Sequence, residues 1–193
     1  MKLILNFWRL IWVYLLLNVA RDPKIYEDAL QYPCDKPYQK RKLVGYCLLV
    51  HKPYRSVFFY RIGGGVFAKL LKKLLRIFFP CNDSIELGGE IAGGLYLPHN
   101  NGRTLYPHSA GKNLSVLQGV TIGQGRVNPE TGLCKPVIGD NVTIYANAVV
   151  IGGITVGDNV TIGAGAVVLH DCPPDTVWAG NPARMIRTKA AQP

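Results

Sequence analysis

The chain has 193 residues, of which 48% are hydrophobic and 18% charged, so its composition excludes a disordered or a collagen-like protein. The formal net charge of +10 arises in residues 1–80, which hold fifteen Lys or Arg and four Asp or Glu. Such a basic region either binds phosphate groups of a partner or exposes its charges to solvent along a helix. Five scattered cysteines form no CxxC pair, which indicates free thiols, a cytoplasmic location and no metal site.

The first eighty residues predict a basic helical region. Residues 3–20 are apolar but interrupted by Arg9, and the uninterrupted part is too short for a spanning helix of ~20 residues. We expect a packed or interfacial helix there, with a signal peptide or membrane anchor as the alternative. Residues 31–42 contain two prolines and predict a loop.

Residues 66–79 predict an amphipathic helix that Pro80 ends. Its cations share one face, and its apolar residues share the other: Lys69, Lys72, Lys73 and Arg76 against Phe67, Leu70, Leu71, Leu74 and Phe78. Such a helix lies on an anionic membrane or packs on a neighbouring helix.

Residues 81–193 follow a different period. Aliphatic residues recur every sixth position, at Ile138, Ile144, Val150, Val156, Ile162 and Val168. A helix cannot keep every sixth residue on one face, whereas short strands joined by tight turns can. The sequence therefore predicts a mainly β protein, a left-handed parallel β-helix of hexapeptide repeats preceded by an α-helical region. The rhythm breaks at 123–136, which we expect to be a loop at the functional face.

Several segments resemble the left-handed β-helix acyltransferases, and among them the serine acetyltransferase-like branch. These segments are "ARDPKIY" at 20–26, "FFYRI" at 58–62, "LYLPHNNG" at 95–102, "LSVLQGVTIG" at 114–123 and "AGNPARMI" at 179–186. The resemblance implies an acetyl-CoA-dependent O-acetyltransferase that forms a homotrimer, with the coenzyme lying between neighbouring solenoids.

The resemblance also implies roles for individual residues. His99 would be the general base, because a neutral imidazole accepts a proton near neutral pH, and Asp83 or Glu86 would orient it. Coenzyme contacts would come from Gly123, Ala146, Ala164, Gly165, Arg184, Arg187 and Lys189. His108 and Lys135 would contact the acceptor. His51 and His170 are expected to be structural or exposed.

Three positions depart from the pattern of serine acetyltransferases. The residue before His99 is Pro98 instead of Asp, the residue fifteen positions earlier is Ser84 instead of Asp, and Lys135 replaces a loop histidine. These changes favour a saccharide hydroxyl as the acceptor, within polysaccharide biosynthesis, over L-serine. The basic helical region would then contact the inner face of the membrane, where a lipid-linked precursor is found.

Three alternatives remain at this stage. Serine O-acetylation, which yields O-acetylserine for cysteine biosynthesis, keeps the reaction and changes the acceptor. A membrane-docked scaffold would have the fold without the chemistry. A carbonic-anhydrase-like zinc site is disfavoured, because only His99 and His108 lie in the middle coils and such a site uses three histidines. We expect no metal and no nucleic-acid partner.

Overall fold

A computed structural model describes residues 22–34, 37–62, 66–81 and 83–189. The predicted helix at 3–20 lies outside these residues. The described helices are α1 (Lys24–Leu30), α2 (Lys40–Val50), α3 (Lys52–Arg61) and α4 (Val66–Phe78). The strands are β1 (Ile85–Leu87), β2 (Glu90–Ile91), β3 (Arg103–Leu105), β4 (Ser109–Ala110), β5 (Ser115–Val116), β6 (Thr121–Gly123), β7 (Val137–Ile138), β8 (Thr143–Ile144), β9 (Val149–Ile151), β10 (Thr155–Val156), β11 (Thr161–Ile162), β12 (Val167–Val168), β13 (Thr176–Gly180) and β14 (Ala183–Thr188).

The helices pack around an aromatic core. Its large buried side chains include Tyr32, Tyr54, Phe58, Phe59, Leu75 and Phe79. The predicted loop at 31–42 ends earlier than expected, because α2 begins at Lys40. Pro37 is the last proline of that segment, and a helix can start once no proline ring blocks its first turns.

The buried face of α4 differs from the predicted one. Leu75 and Phe79, four residues apart, are buried, whereas Leu70 and Leu74 are 59% and 48% exposed. Phe78, on the predicted apolar face, also packs on the helical core, so the buried surface of α4 includes part of the predicted face together with Leu75 and Phe79. Among the residues that the structure describes, no helix combines the length and the apolar character needed to cross a membrane.

The β strands form a three-sided solenoid. The first sheet has the order β1-β3-β6-β9-β12, the second β2-β4-β7-β10, and the third β5-β8-β11-β13-β14. Neighbouring strands are parallel, except that β13 and β14 form an antiparallel pair. Thr143 pairs with Thr161, eighteen positions later, so one coil contains three hexapeptides. The predicted fold class is confirmed.

The period of six marks the inward side chains. All six predicted positions from Ile138 to Val168 are at most 3% exposed. Asn113, Asn141 and Asn159 adopt positive φ angles at one edge of the solenoid, which we call the asparagine edge, and Asn113 donates a hydrogen bond to Asn141 there. Gly139 has another role: a Cβ there would lie 2.2 Å from the Asp158 carboxylate, so it permits close stacking of coils.

One ion pair joins the helical region to the first coil. Arg61 donates to Asp28 through Nε at 2.8 Å, and both side chains are almost fully buried. Arg61 also donates to the Ile91 carbonyl at 2.5 Å, while Asp28 accepts the Leu95 N–H at 2.8 Å. The "FFYRI" segment therefore docks the helices on the solenoid.

Candidate functional site

His99 lies in an exposed turn before β3. Its carbonyl accepts a hydrogen bond from Arg103 Nη2 at 2.8 Å, and its imidazole has no carboxylate partner within the described part of the chain. The same turn is tied to the next coil, because the Gly119 N–H donates to the Gly102 carbonyl at 2.8 Å. The predicted base is thus accessible and its backbone is fixed.

The His99 turn begins one edge of the solenoid, which we call the histidine edge: the turns at 99–102, 117–119, 145–147 and 163–165, with Ala179 at the end of β13. Backbone hydrogen bonds join these turns, from Asn147 to Gln118 and from Gly165 to Ala146, both at 2.9 Å. Ala179 follows directly, 3.1 Å from where a Cβ of Gly163 would lie.

Three of the predicted coenzyme contacts share this edge. Ala146 is half-buried, and Ala164 and Gly165 are exposed. No heavy atom lies within 4 Å of a Cβ built on Gly165. These positions leave an open track of backbone and methyl groups leading away from His99.

Gly123 is not part of this track. It ends β6 on the first sheet, where its carbonyl accepts the Gly152 N–H at 3.3 Å. We call this second edge the loop edge: residues 106–108, 123–136 and 151–153. The structure therefore separates Gly123 from the other small residues with which the sequence grouped it.

The two predicted acceptor contacts lie together on the loop edge. The His108 N–H donates to the Pro136 carbonyl at 2.8 Å, next to Lys135. The Lys135 ammonium lies 5.9 Å from the centre of the Tyr106 ring. Tyr106 was not among the residues predicted from the sequence, and the available signal was an aromatic residue directly after the inward Leu105.

The predicted loop at 123–136 is present between β6 and β7. It folds back on the next coil, since Asn128 Nδ2 donates to the Gly153 carbonyl at 2.9 Å. A cleft of about 520 Å³ lies beneath it, with both charged and apolar lining residues that include Arg126, Glu130, Leu169, His170 and Asp171.

The proposed acid partners lie in a different cleft, of about 430 Å³, between the helices and β1. Asp83 is exposed and 3.9 Å from Arg76 Nη1. Glu86 is exposed on β1, beside Thr104 in the register. His99 does not line this cleft, so the structure does not bring either carboxylate to the imidazole.

The three predicted phosphate contacts lie in the C-terminal hairpin. Arg184 pairs with Ala179 in the register, which places it at the far end of the histidine edge. Arg184 and Arg187 are exposed, whereas the Lys189 ammonium hydrogen bonds to the Asn159 carbonyl. Trp178 packs against the solenoid core and caps its end.

Within the described ranges, no three His, Cys, Asp or Glu side chains are grouped as metal ligands would be. His99 and His108 lie on different edges.

The comparisons with known proteins agree with this architecture. Residues 135–170 match the family model "Bacterial transferase hexapeptide (six repeats)". A serine acetyltransferase from Synechocystis is 37% identical over 140 residues, which cover 72% of this chain and 54% of that protein. A Neisseria gonorrhoeae serine acetyltransferase solved with serine superposes with a TM-score of 0.62 at 26% identity, covering 92% of this chain and 82% of that one. A serine acetyltransferase solved with CoA has a TM-score of 0.62 at 25% identity, covering 84% and 68%.

The chain carries the hexapeptide repeats of this family model and is similar to serine acetyltransferases in sequence and in fold. The resemblance predicted from its sequence is confirmed. It spans 33% to 54% of the length of the first curated relatives it matches.

The preference for a saccharide acceptor is wrong. It rested on three substitutions near His99, and the relatives and solved structures compared above are serine acetyltransferases. Similarity over 140 residues outweighs three local changes, so the comparisons favour the serine alternative over a role in polysaccharide biosynthesis.

Proposed function

We propose that this protein is a serine O-acetyltransferase, which transfers the acetyl group of acetyl-CoA to the hydroxyl of L-serine and releases O-acetylserine and CoA. The observation that carries the proposal is the accessible His99 at the head of an open backbone track. The similarity to serine acetyltransferases solved with serine and with CoA supports it.

In this mechanism His99 acts as the general base. Its neutral imidazole accepts the proton of the serine hydroxyl while the hydroxyl oxygen attacks the thioester carbonyl. The C–S bond then breaks, and the imidazolium returns the proton to the leaving thiolate of CoA. The described residues supply no carboxylate to orient the ring, so the roles of Asp83 and Glu86 stay predictions.

The histidine edge suits an extended coenzyme. Neighbouring strands are about 4.8 Å apart, so the four steps from Gly102 to Gly180 cover about 19 Å. An extended pantetheine arm could lie there, with its thioester near His99. The phosphates would then meet Arg184, which is exposed at the far end of the track, and Arg187, which is exposed farther along the same strand. Lys189 would contribute only if its ammonium left Asn159.

We place the complete site between two chains. His99 and the coenzyme track lie on the histidine edge, while Gly123, His108 and Lys135 lie on the loop edge of the same chain. In a homotrimer with closed symmetry, two different surfaces of each copy meet, and we infer that these are the histidine edge of one copy and the loop edge of its neighbour. The acceptor then binds between His99 and the neighbour's loop edge.

The reaction is tested with purified protein, acetyl-CoA and L-serine, by following the release of the CoA thiol. We expect release that depends on serine, and a loss of ~10²–10⁴ in kcat for His99→Gln, which is the usual contribution of a general base. Lys112→Gln serves as the control because Lys112 is exposed and lies on neither the track nor the cleft beneath the 123–136 loop. Full activity of His99→Gln, or CoA binding without turnover as in a scaffold, would contradict the proposal.

Contact of the basic helical region with a membrane stays a separate prediction, as does the cytoplasmic location. The membrane contact is supported by helix α4. Its exposed apolar residues lie beside exposed cations: Leu70, Leu74 and Ile77 beside Lys69 and Lys73. We expect Leu74→Glu to weaken co-sedimentation with anionic vesicles and leave the release of CoA unchanged. Equal binding to anionic and neutral vesicles would count against it.

A further inference from the structure

Arg103 occupies an aliphatic position inside the solenoid. In the register of the first sheet, Thr104 pairs with Thr121, Thr121 with Val149 and Val149 with Val167. The residues before these four form one inward column: Arg103, Val120, Ala148 and Ala166. Arg103 is 3% exposed and the other three are fully buried. A guanidinium therefore lies where the next coils have an isopropyl or methyl group.

The buried charge of Arg103 is poorly compensated. Its Nε and Nη1 atoms are buried and have no hydrogen-bond partner in the described part of the chain. Burial lowers the pKa of Arg103 to about 10, with only the Tyr32 hydroxyl opposing the shift. That hydroxyl is itself buried and accepts the Leu97 N–H at 3.2 Å. A charge held in this way costs folding free energy that an aliphatic residue would not cost.

The hydrogen bond that Arg103 does make points to its role. Nη2 donates to the carbonyl of His99 at 2.8 Å, across the turn that presents the imidazole. The Gly119 N–H also ties that turn to the solenoid wall, through the carbonyl of Gly102, three residues beyond His99. The buried guanidinium lowers folding stability, but its one hydrogen bond restrains the backbone of His99.

We propose that Arg103 is a positioning residue that fixes the His99 backbone and so directs the imidazole along the histidine edge. The inference rests on the proposed function in that His99 is the base. Asp83 and Glu86 line another cleft, whereas Arg103 donates to the His99 carbonyl from inside the solenoid. A displacement of about 1 Å at a catalytic group can cost about 10²-fold in rate.

The test compares Arg103→Met and Arg103→Lys with Arg41→Met, an exposed arginine on α2. Methionine fits an apolar column, so we expect Tm to hold or rise, because replacing an uncompensated buried charge by an apolar side chain often stabilises a protein. We expect kcat to fall about 10- to 100-fold and KM for acetyl-CoA to stay within about twofold. Lysine retains a donor for the carbonyl and should recover part of kcat.

A merely structural role gives a different pattern. Arg103→Met would then lower Tm, and the folded fraction would keep the wild-type kcat and KM. Either that pattern, or a lysine variant no better than methionine in kcat, overturns the proposal.

A second measurement does not depend on activity. The NMR signal of the His99 Cε1–H group, assigned with His99→Gln, should shift and broaden in Arg103→Met and stay unchanged in Arg41→Met. An unchanged signal in Arg103→Met overturns the positioning role even if serine is acetylated. Conversely, wild-type protein that fails to acetylate serine overturns the proposed function, while the NMR comparison still decides the role of Arg103.

Discussion

Ala164 illustrates how little side chain the coenzyme track carries. It is exposed on the histidine edge, next to Gly165, which has open space above its Cα. Gly165 has a φ of +67°, so a larger residue there would strain the backbone, whereas Ala164 has no such constraint. Ala164 is therefore the better position at which to fill the track.

We predict that Ala164→Trp blocks coenzyme binding without disturbing the fold. The indole would project over the backbone track, and KM for acetyl-CoA should rise at least about 10-fold, or ~1.4 kcal/mol. Steady-state kinetics and thermal unfolding measure the two effects. Lys112→Trp is the matched control: Lys112 is exposed on the asparagine edge, beside Asn113 and Asn141, and the substitution should change neither quantity. A variant that binds acetyl-CoA normally would remove the track from the mechanism.

Lys135 offers a second test at the scale of one residue. Its ammonium lies 5.9 Å from the centre of the Tyr106 ring on the loop edge, where it can meet the carboxylate of serine. Losing a hydrogen bond to a charged group costs about 1.5–3 kcal/mol, so Lys135→Ala should raise KM for serine about 10- to 100-fold. KM for acetyl-CoA should stay near its wild-type value. In the control variant Lys24→Ala, neither KM for serine nor KM for acetyl-CoA should change. If serine binds the alanine variant normally, Lys135 is not an acceptor contact.

At the scale of elements, the buried Arg61–Asp28 pair holds the helices on the solenoid. Burial raises the pKa of Asp28, while the hydrogen bonds and charge of Arg61 oppose that rise. Arg61 also satisfies carbonyls of β2 and the residue after it, so the pair spans α1, α3 and the first coil. Removing one partner leaves the other charge buried and alone.

We predict that Arg61→Met lowers the free energy of unfolding by about 3–5 kcal/mol, measured by urea titration. The exposed pair Arg76–Asp83 provides the control, since its side chains are 58% and 87% exposed. Asp83→Asn should change stability by at most about 1 kcal/mol. Equal losses in the two variants would show that the buried pair has no special role in docking.

Some of these elements could be predicted from the sequence because their pattern repeats along the chain, whereas others depend on packing between distant segments. The six-residue period predicted the coils and the interruption at 123–136, because inward side chains repeat wherever a coil repeats. The orientation of α4 was not predictable from its amphipathic pattern, since Leu75 and Phe79 pack on helices whose positions the pattern does not contain. The separation of Gly123 from Ala164 likewise depends on how the coils close, because Gly123 ends a strand of the first sheet and Ala164 follows a strand of the third.

Arg103 carried a signal that the sequence analysis did not use. Counting back from Val120 along the inward column reaches an arginine, which no aliphatic repeat explains. The partner of that arginine, the His99 carbonyl, could be found only from the conformation of the turn.

At the scale of the whole molecule, the separation of the two edges gives a decisive experiment. Two variants are compared: His99→Gln, and a double variant with Lys135→Ala and Tyr106→Ala. Each should acetylate serine poorly when it is the only chain present, because it carries one damaged edge in every site. If each site combines the histidine edge of one copy with the loop edge of its neighbour, mixed trimers contain some sites with both edges intact.

We predict that unfolding and refolding the two variants together restores about a quarter of the wild-type sites, since each copy and its neighbour are drawn at random from an equal mixture. Activity with L-serine and acetyl-CoA measures the recovery, and light scattering checks that both preparations are trimers. Refolding each variant alone controls for recovery by folding itself. A site formed within one chain would give no recovery on mixing, because every chain in the mixture would still carry one damaged edge.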